Sequence, residues 1–349
     1  MNRFFLLVLM SVFAVSFANA QTKLEVNLAG DLYYATDNDE GRGLHPRPLQ
    51  SSNIYKDRFG TNNVLLRSKV TNNDWKANFS VATFGQGSSI AIEDANIGLR
   101  ITDYLWFTGG LFAVWDVDYT FDRWFTGNSL TDSRNMAGPY MACGVEIPIS
   151  NNFTFATGLM NSNALSYFEM PNLTKSFYMK VDSKNLYEDW DMTFGCIAGN
   201  TASYRATHNN TTEIYISAGG TLAKDLEAKI SGKFFKDALD KEKSDPENTS
   251  TLQALVNYRL NKKYSVGARL SFITGDEGNS KGTGIDFGLV WQYNPVPYTY
   301  FRIEGGMISL SNSDNDNYAK IFSNGEKASR LGIALSMGFK FGLFETEIK

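Results

Sequence analysis

The chain has 349 residues, 43% of them hydrophobic and 20% charged, and its formal charge of −4 argues against nucleic acid or an anionic membrane surface as partner. Mean hydropathy is −0.27, and beyond residue 20 no window approaches the roughly 20 consecutive apolar residues of a membrane helix, so a helical membrane protein is excluded. The two cysteines, Cys143 and Cys196, sit at apolar strand positions far apart in order and read as small apolar side chains rather than as a disulfide or a metal site.

Residues 1–20 carry Asn2-Arg3, an apolar run from Phe4 to Phe17 and then Ala18-Asn19-Ala20. A basic start, a short apolar stretch and an A-x-A site make a secretory signal peptide cut after Ala20. No Cys follows the cut, which excludes the bacterial lipoprotein pattern. Arg3 leaves with the leader, so the exported chain is slightly more acidic. Residues 21–349 show no Pro/Ser linker and no shift in composition, and are expected to form one unit.

Period-2 alternation runs through that unit. Strands are predicted at 23–35, 63–71, 75–85, 90–101, 105–117, 138–149, 152–161, 175–183, 189–199, 212–221, 226–237, 250–260, 264–274, 283–293, 298–309 and 329–343. Within 93–115, Ala95, Ile97, Leu99 and Ile101 alternate with Asp94, Asn96, Gly98 and Arg100, and a short turn at Thr102-Asp103-Tyr104 leads into Leu105–Trp115. Further on, Trp190, Met192, Phe194, Cys196 and Ala198 alternate in one strand, and Tyr264, Val266, Ala268, Leu270 and Phe272 in another. Each segment has about the 9–11 residues that a tilted strand needs to cross a bilayer. Aromatics such as Tyr264, Phe272, Trp291, Tyr293, Tyr298 and Tyr300 fall near strand ends, where an aromatic girdle belongs.

The connections alternate in length. Asn72–Asp74, Thr102–Tyr104, Ser150-Asn151, Leu222–Asp225, Asn261–Lys263 and Asn294–Pro297 are tight; Thr36–Asn62, Asp118–Ala137, Asn161–Thr174, Asn200–Thr211, Ala238–Thr249 and Leu310–Ala328 are long. The expected fold is therefore all-β: a single antiparallel transmembrane β-barrel of about sixteen strands (range about 14–18), with short periplasmic turns and long extracellular loops. The closing strand carries Leu331, Ile333, Leu335, Met337, Phe339, Phe341 and Leu343 on one face and resembles the signal that barrel-assembly machinery reads, but a tail from Glu345 to Lys349 follows it.

Sixteen strands enclose a lumen too wide for side chains to fill, and alternation from Leu24 onward leaves no room for an N-terminal plug. The function expected is an outer-membrane porin passing small hydrophilic solutes and ions by passive diffusion. The loop Asp118–Ala137 is the candidate constriction, with Asp116, Asp118, Asp122, Arg123, Asp132 and Arg134 facing a basic wall of Arg67, Lys69, Arg100, Arg269 and Arg302. Opposite charges across a narrow wet passage set up a transverse field that orients dipolar solutes. The plain alternative is a solvated outer loop.

Other patterns are weaker. Asp314-Asn315-Asp316-Asn317 lacks the Gly and distal Glu of a calcium loop, and the glycines of Gly275–Gly284 lack the phosphate-binding pattern. No metal or cofactor is implied. A barrel-borne hydrolase needs a His beside a nucleophile or acid, and the only histidines, His45 and His208, fall in predicted loops; the protein is expected not to be an enzyme. Two further readings stay open: a surface-interaction barrel using the arm at Thr36–Asn62, and a sugar-selective channel using Trp106, Tyr119 and Trp124.

Glu93-Asp94-Ala95-Asn96-Ile97-Gly98, then Leu105-Trp106, Gly109-Gly110-Leu111-Phe112, Gly138-Pro139-Tyr140 and Gly144-Val145 resemble the OmpL-like outer-membrane β-barrel porin family, most clearly over Asn63–Asn163. That resemblance implies passive diffusion and carries no catalytic residues. The expected partners are outer-membrane lipid, lipopolysaccharide and small hydrophilic solutes, with a homotrimer as candidate assembly, no nucleic acid, and the outer membrane of a Gram-negative bacterium as location.

Overall fold

The computed structural model describes residues 22–37, 58–61, 64–84, 89–112, 140–161, 175–186, 189–200, 210–238, 247–277, 280–312 and 329–348. Its strands are β1 (Thr22–Asp37), β2 (Arg58–Thr61), β3 (Val64–Thr71), β4 (Trp75–Phe84), β5 (Ser89–Thr102), β6 (Leu105–Phe112), β7 (Tyr140–Pro148), β8 (Phe153–Asn161), β9 (Lys175–Ser183), β10 (Asp191–Asn200), β11 (Asn210–Ala223), β12 (Leu226–Ala238), β13 (Glu247–Arg259), β14 (Tyr264–Glu277), β15 (Ser280–Tyr293), β16 (Thr299–Asn312) and β17 (Ser329–Ile348).

Successive strands pair antiparallel except β2 and β3, which both lie against β1, and β17 returns to β1 along a ladder from Thr22↔Ile348 to Asp37↔Gly332. The sheet thus closes on itself. β2 lies along one half of β1 (Leu32↔Thr61 to Ala35↔Arg58) and β3 along the other (Lys23↔Thr71 to Ala29↔Leu65), so the two form one stave in two pieces. The result is a closed antiparallel barrel of sixteen staves.

One end of the barrel holds tight turns whose residues bond their own backbone. Asn72 Oδ1 accepts from the Asp74 amide at 2.8 Å, Asn261 Oδ1 accepts from the Lys263 amide at 2.8 Å, and the Ser150 hydroxyl accepts from the amides of Asn152 and Phe153. Side chains of this kind supply the bonds that a reversing backbone loses. Asp225, at φ 64°, completes the two-residue turn between β11 and β12. Both Thr22 and Ile348 lie at this end.

Alternation places two chemistries back to back. Outward stand Leu252, Val256, Leu270, Phe272, Ile285, Phe287, Leu289, Ile303, Ile333 and Leu335, all exposed. Inward stand Gln253, Ser265, Arg269, Ser271, Asp286, Arg302, Glu304 and Ser336, all buried. An apolar band around the whole outside would be a large exposed patch in water and is suited to a hydrocarbon surround. Tyr264, Trp291, Tyr293 and Phe301 form a chain of ring contacts at the turn end, and Tyr298, Phe341 and Phe339 form another. Cys143 and Cys196 are free thiols on outward positions.

Five expectations need correction. Residues 58–61 are an additional strand segment, missed because so short a piece shows no period. The tail after Leu343 does not overhang: β17 continues to Ile348 by pairing with the start of β1, after a bulge opposite Val26/Asn27. The length alternation of the connections is looser than expected, because the turn-side link Lys184–Trp190 is longer than a hairpin, whereas 85–88 and 278–279 join strands at the opposite end. The Gly-rich run is mostly strand for the same reason, since β14 and β15 pair as far as Glu277↔Ser280. Finally, Trp190 belongs to the turn before β10, where its indole N–H donates to the Thr221 carbonyl at 3.1 Å.

Candidate functional site

The inner face of the barrel is the candidate site, and its composition follows strand by strand from the positions opposite the apolar set. Inward cations are Lys23, Arg67, Lys69, Lys76, Arg100, Lys180, Lys229, Lys233, Arg259, Arg269, Arg302 and Lys340; inward carboxylates are Glu25, Asp94, Glu146, Asp182, Glu213, Glu227, Asp286 and Glu304. Among the described residues the cations are in excess, although the whole chain is acidic. Charged groups of both signs are sorted to the inner face, and apolar groups to the outer one, by backbone alternation and not by overall charge.

Register then decides which charges meet. Lys76 Nζ lies 2.8 and 2.7 Å from the two carboxylate oxygens of Glu146 and 5.2 Å from the Trp106 ring centre. Lys233 Nζ lies 2.7 Å from Glu213, with both side chains nearly inaccessible. Arg269 Nη2 lies 3.3 and 3.2 Å from the oxygens of Asp286. Lys180 pairs with Asp182 at 2.9 Å, and Asp182 also accepts from the Thr193 hydroxyl at 2.8 Å. Charged groups held this way satisfy one another away from bulk water, which a buried ion requires.

Glycine lets backbones close under the larger inward side chains. Tyr178, on β9, stands directly opposite Gly158 and reaches Gly144 one strand further; a Cβ at Gly144 would come within 2.5 Å of its hydroxyl oxygen. Tyr300 covers Gly338 in the same way. Such aromatic cover over a strand glycine restores packing that the missing side chain forfeits. Gly110, at φ +131°, is the one glycine of the Gly109-Gly110 motif that no other residue could replace without strain. Glu93, in the same motif region, is the extra residue of a bulge between the pairs Ser80↔Asp94 and Val81↔Ile92.

The five residues expected as a basic wall all take inward positions, on an arc running from β14 through β17 and β1 to β5. They do not gather into one patch. Arg269 is locked to Asp286, Arg100 pairs with Asp103 at 2.6 Å near the turns, and Lys69 stands opposite Glu25. Arg302 lies over the Tyr300 ring at 3.9 Å and its Nε donates to Gln292 at 2.6 Å. The constriction candidates Asp116, Asp118, Asp122, Arg123, Asp132 and Arg134 lie outside the described residues, as do His45, His208, Tyr119, Trp124 and Asp314–Asn317. Trp106 takes an inward position opposite Glu146 and not a girdle position.

Sequence reasoning missed Lys76, Glu146, Glu213, Lys233 and Asp286 as wall residues. Their inward parity was available in the alternation; their partners, set by register between strands far apart in sequence, were not.

No family model matches the chain, and no curated protein matches it in sequence. Solved structures do. The chain is similar to OmpT, an outer membrane protein of Vibrio cholerae, in its trimer form, with a TM-score of 0.60 and 11% identity over 91% of this chain and 99% of that one. It is similar to the outer membrane channel DcaP of Acinetobacter baumannii (TM-score 0.60, 9% identity, 93% and 98% covered) and to an anion-selective porin from Comamonas acidovorans (TM-score 0.58, 13% identity, 93% and 100% covered). At these identities the likeness is one of fold: the chain has the closed antiparallel barrel that outer-membrane porins and channels share.

Proposed function

We propose that the protein is an outer-membrane porin through which small hydrophilic solutes and ions diffuse passively. The observation that carries this reading is a sixteen-stave barrel whose inner face is charged and polar while its outer face is an apolar band. A barrel of this size leaves an aqueous channel unless something fills it. In this reading residues 1–20 direct export and are cut after Ala20, residues 21–349 form the barrel, the tight turns face the periplasm and the loops face outward. Lipid and lipopolysaccharide surround the apolar band, and three copies assemble. The chain is an OmpL-like porin, not an enzyme. Asp116, Asp118, Asp122, Arg123, Asp132 and Arg134 narrow the lumen opposite the inward arginines. Trp106, on the inner face beside Lys76, favours a second reading in which a sugar stacks in the pore.

Planar-bilayer recording of the refolded mature protein tests this. Discrete conductance steps that grow with salt concentration are the expected result, and blockade by added sugars would favour the selective channel. A folded, heat-modifiable barrel that gives no steps overturns the porin and leaves a surface-interaction barrel.

A further inference from the structure

At the turn end of β12–β17 the inner face hollows into a recess of about 330 Å³. Its charged lining is Arg259, Lys262, Arg302 and Lys340 against a single carboxylate, Glu227. Glu227 already meets Arg259 at 3.3 Å. The lining thus carries four cations to one carboxylate, in a concavity with low-dielectric walls, where field lines are focused.

The Arg302 guanidinium is held in place from two directions. Its face rests on Tyr300, which is itself seated over Gly338, and Nε is fixed by Gln292, whose amide in turn donates to Asn294 Oδ1 at 2.8 Å. A planar fork held in one orientation is preorganised for a planar or tetrahedral oxyanion, and it loses little rotamer freedom on binding one. Lys340 is brought alongside by its backbone, whose amide donates to the Tyr298 carbonyl at 2.8 Å. Like charges are brought together here by strands from both sides of the β15–β16 turn, at the end of the lumen opposite the connection from β6 to β7.

We propose that this recess binds small oxyanions, carboxylates or phosphates, that enter from the turn side of the lumen. The proposal rests on the porin reading only for its route of entry; the site itself needs a folded barrel and nothing more.

The test uses the refolded full barrel, with inorganic phosphate and succinate as separate probes. In bilayers, each anion is added to one side and then the other, and the half-blocking concentration is read for the wild type, Arg302→Gln, Lys340→Gln and an outward control, Lys236→Gln. In detergent, modification of Lys262 and Lys340 by an amine reagent is followed by mass spectrometry with and without each anion. The expected result is block from the turn side, weakened about tenfold in Arg302→Gln and Lys340→Gln, which is the loss expected of one charge-assisted hydrogen bond, and unchanged in the control. Phosphate and succinate should each protect both lysines; protection by one alone assigns the site to that anion. An open pore with identical block in wild type and variants, and no protection, overturns the recess and leaves the porin standing. Protection without any conductance does the reverse. Should Arg302→Gln fail to give a heat-modifiable barrel, the more exposed Lys340→Gln carries the test.

Discussion

Gly158 shows how little freedom single positions of this wall retain. A Cβ there would collide with the Cys143 carbonyl oxygen and lie 2.6 Å from Cα of Gly144, both backbone atoms that cannot swing aside. Gly158→Ala should therefore destabilise the barrel by about 1–3 kcal/mol, the usual cost of overpacking, and lower the temperature at which it loses its folded migration on a gel. An unchanged transition would mean that β7 and β8 separate at no cost. The charged positions obey a related rule. Lys233 and Glu213 are tolerated inside because each is the other's partner, and removing one would strand the other where water is scarce.

A strand of this barrel works by its two faces. Leu289 stands midway along β15, outward and exposed, between Ala268 and Gly305 of the flanking strands. Tyr298 stands at the turn end. Arginine at the lipid-facing middle of a strand costs about 2–4 kcal/mol, falling to about 0–1 kcal/mol near the interface. Leu289→Arg should lower unfolding stability in lipid vesicles by that larger amount and Tyr298→Arg scarcely at all; equal effects would contradict a bilayer-spanning band. How far the fold was legible is clearest at this scale. Fifteen of the ladders follow from alternation and turn residues such as Asn72, Asp103 and Asn261, which announce both faces and both ends. The segment Arg58–Thr61, the bulge at Glu93 and the extension of β14 to Glu277 were not legible, because each is decided by the partner strand lying beside it.

Closure belongs to the whole molecule. The last rungs, Thr22↔Ile348 to Val26↔Phe344, join the first strand to the last and complete the pairing at the turn end of β1. A chain ending at Leu343 would lose these rungs, each worth about 0.5–1.5 kcal/mol, and leave an open edge. It should refold more slowly and lose heat-modifiable migration at lower temperature than the full chain; identical behaviour would show that closure is complete without the tail. The same closure turns scattered inward charges into one wall, because β16 and β3 become near neighbours only through the β17–β1 seam.

The sequence by itself determined the class of fold, the two faces of each strand and the chemistry of each face, because all three depend on a period of two residues that any local stretch displays. It also determined that Arg67, Lys69, Arg100, Arg269 and Arg302 point inward, since each alternates with apolar neighbours. Only the tertiary structure decided that Arg269 meets Asp286, that Lys76 meets Glu146 beside Trp106, and that Arg259, Lys262, Arg302 and Lys340 line one recess. The physical reason is register: sliding one strand past its neighbour by two residues preserves every face and changes every partner.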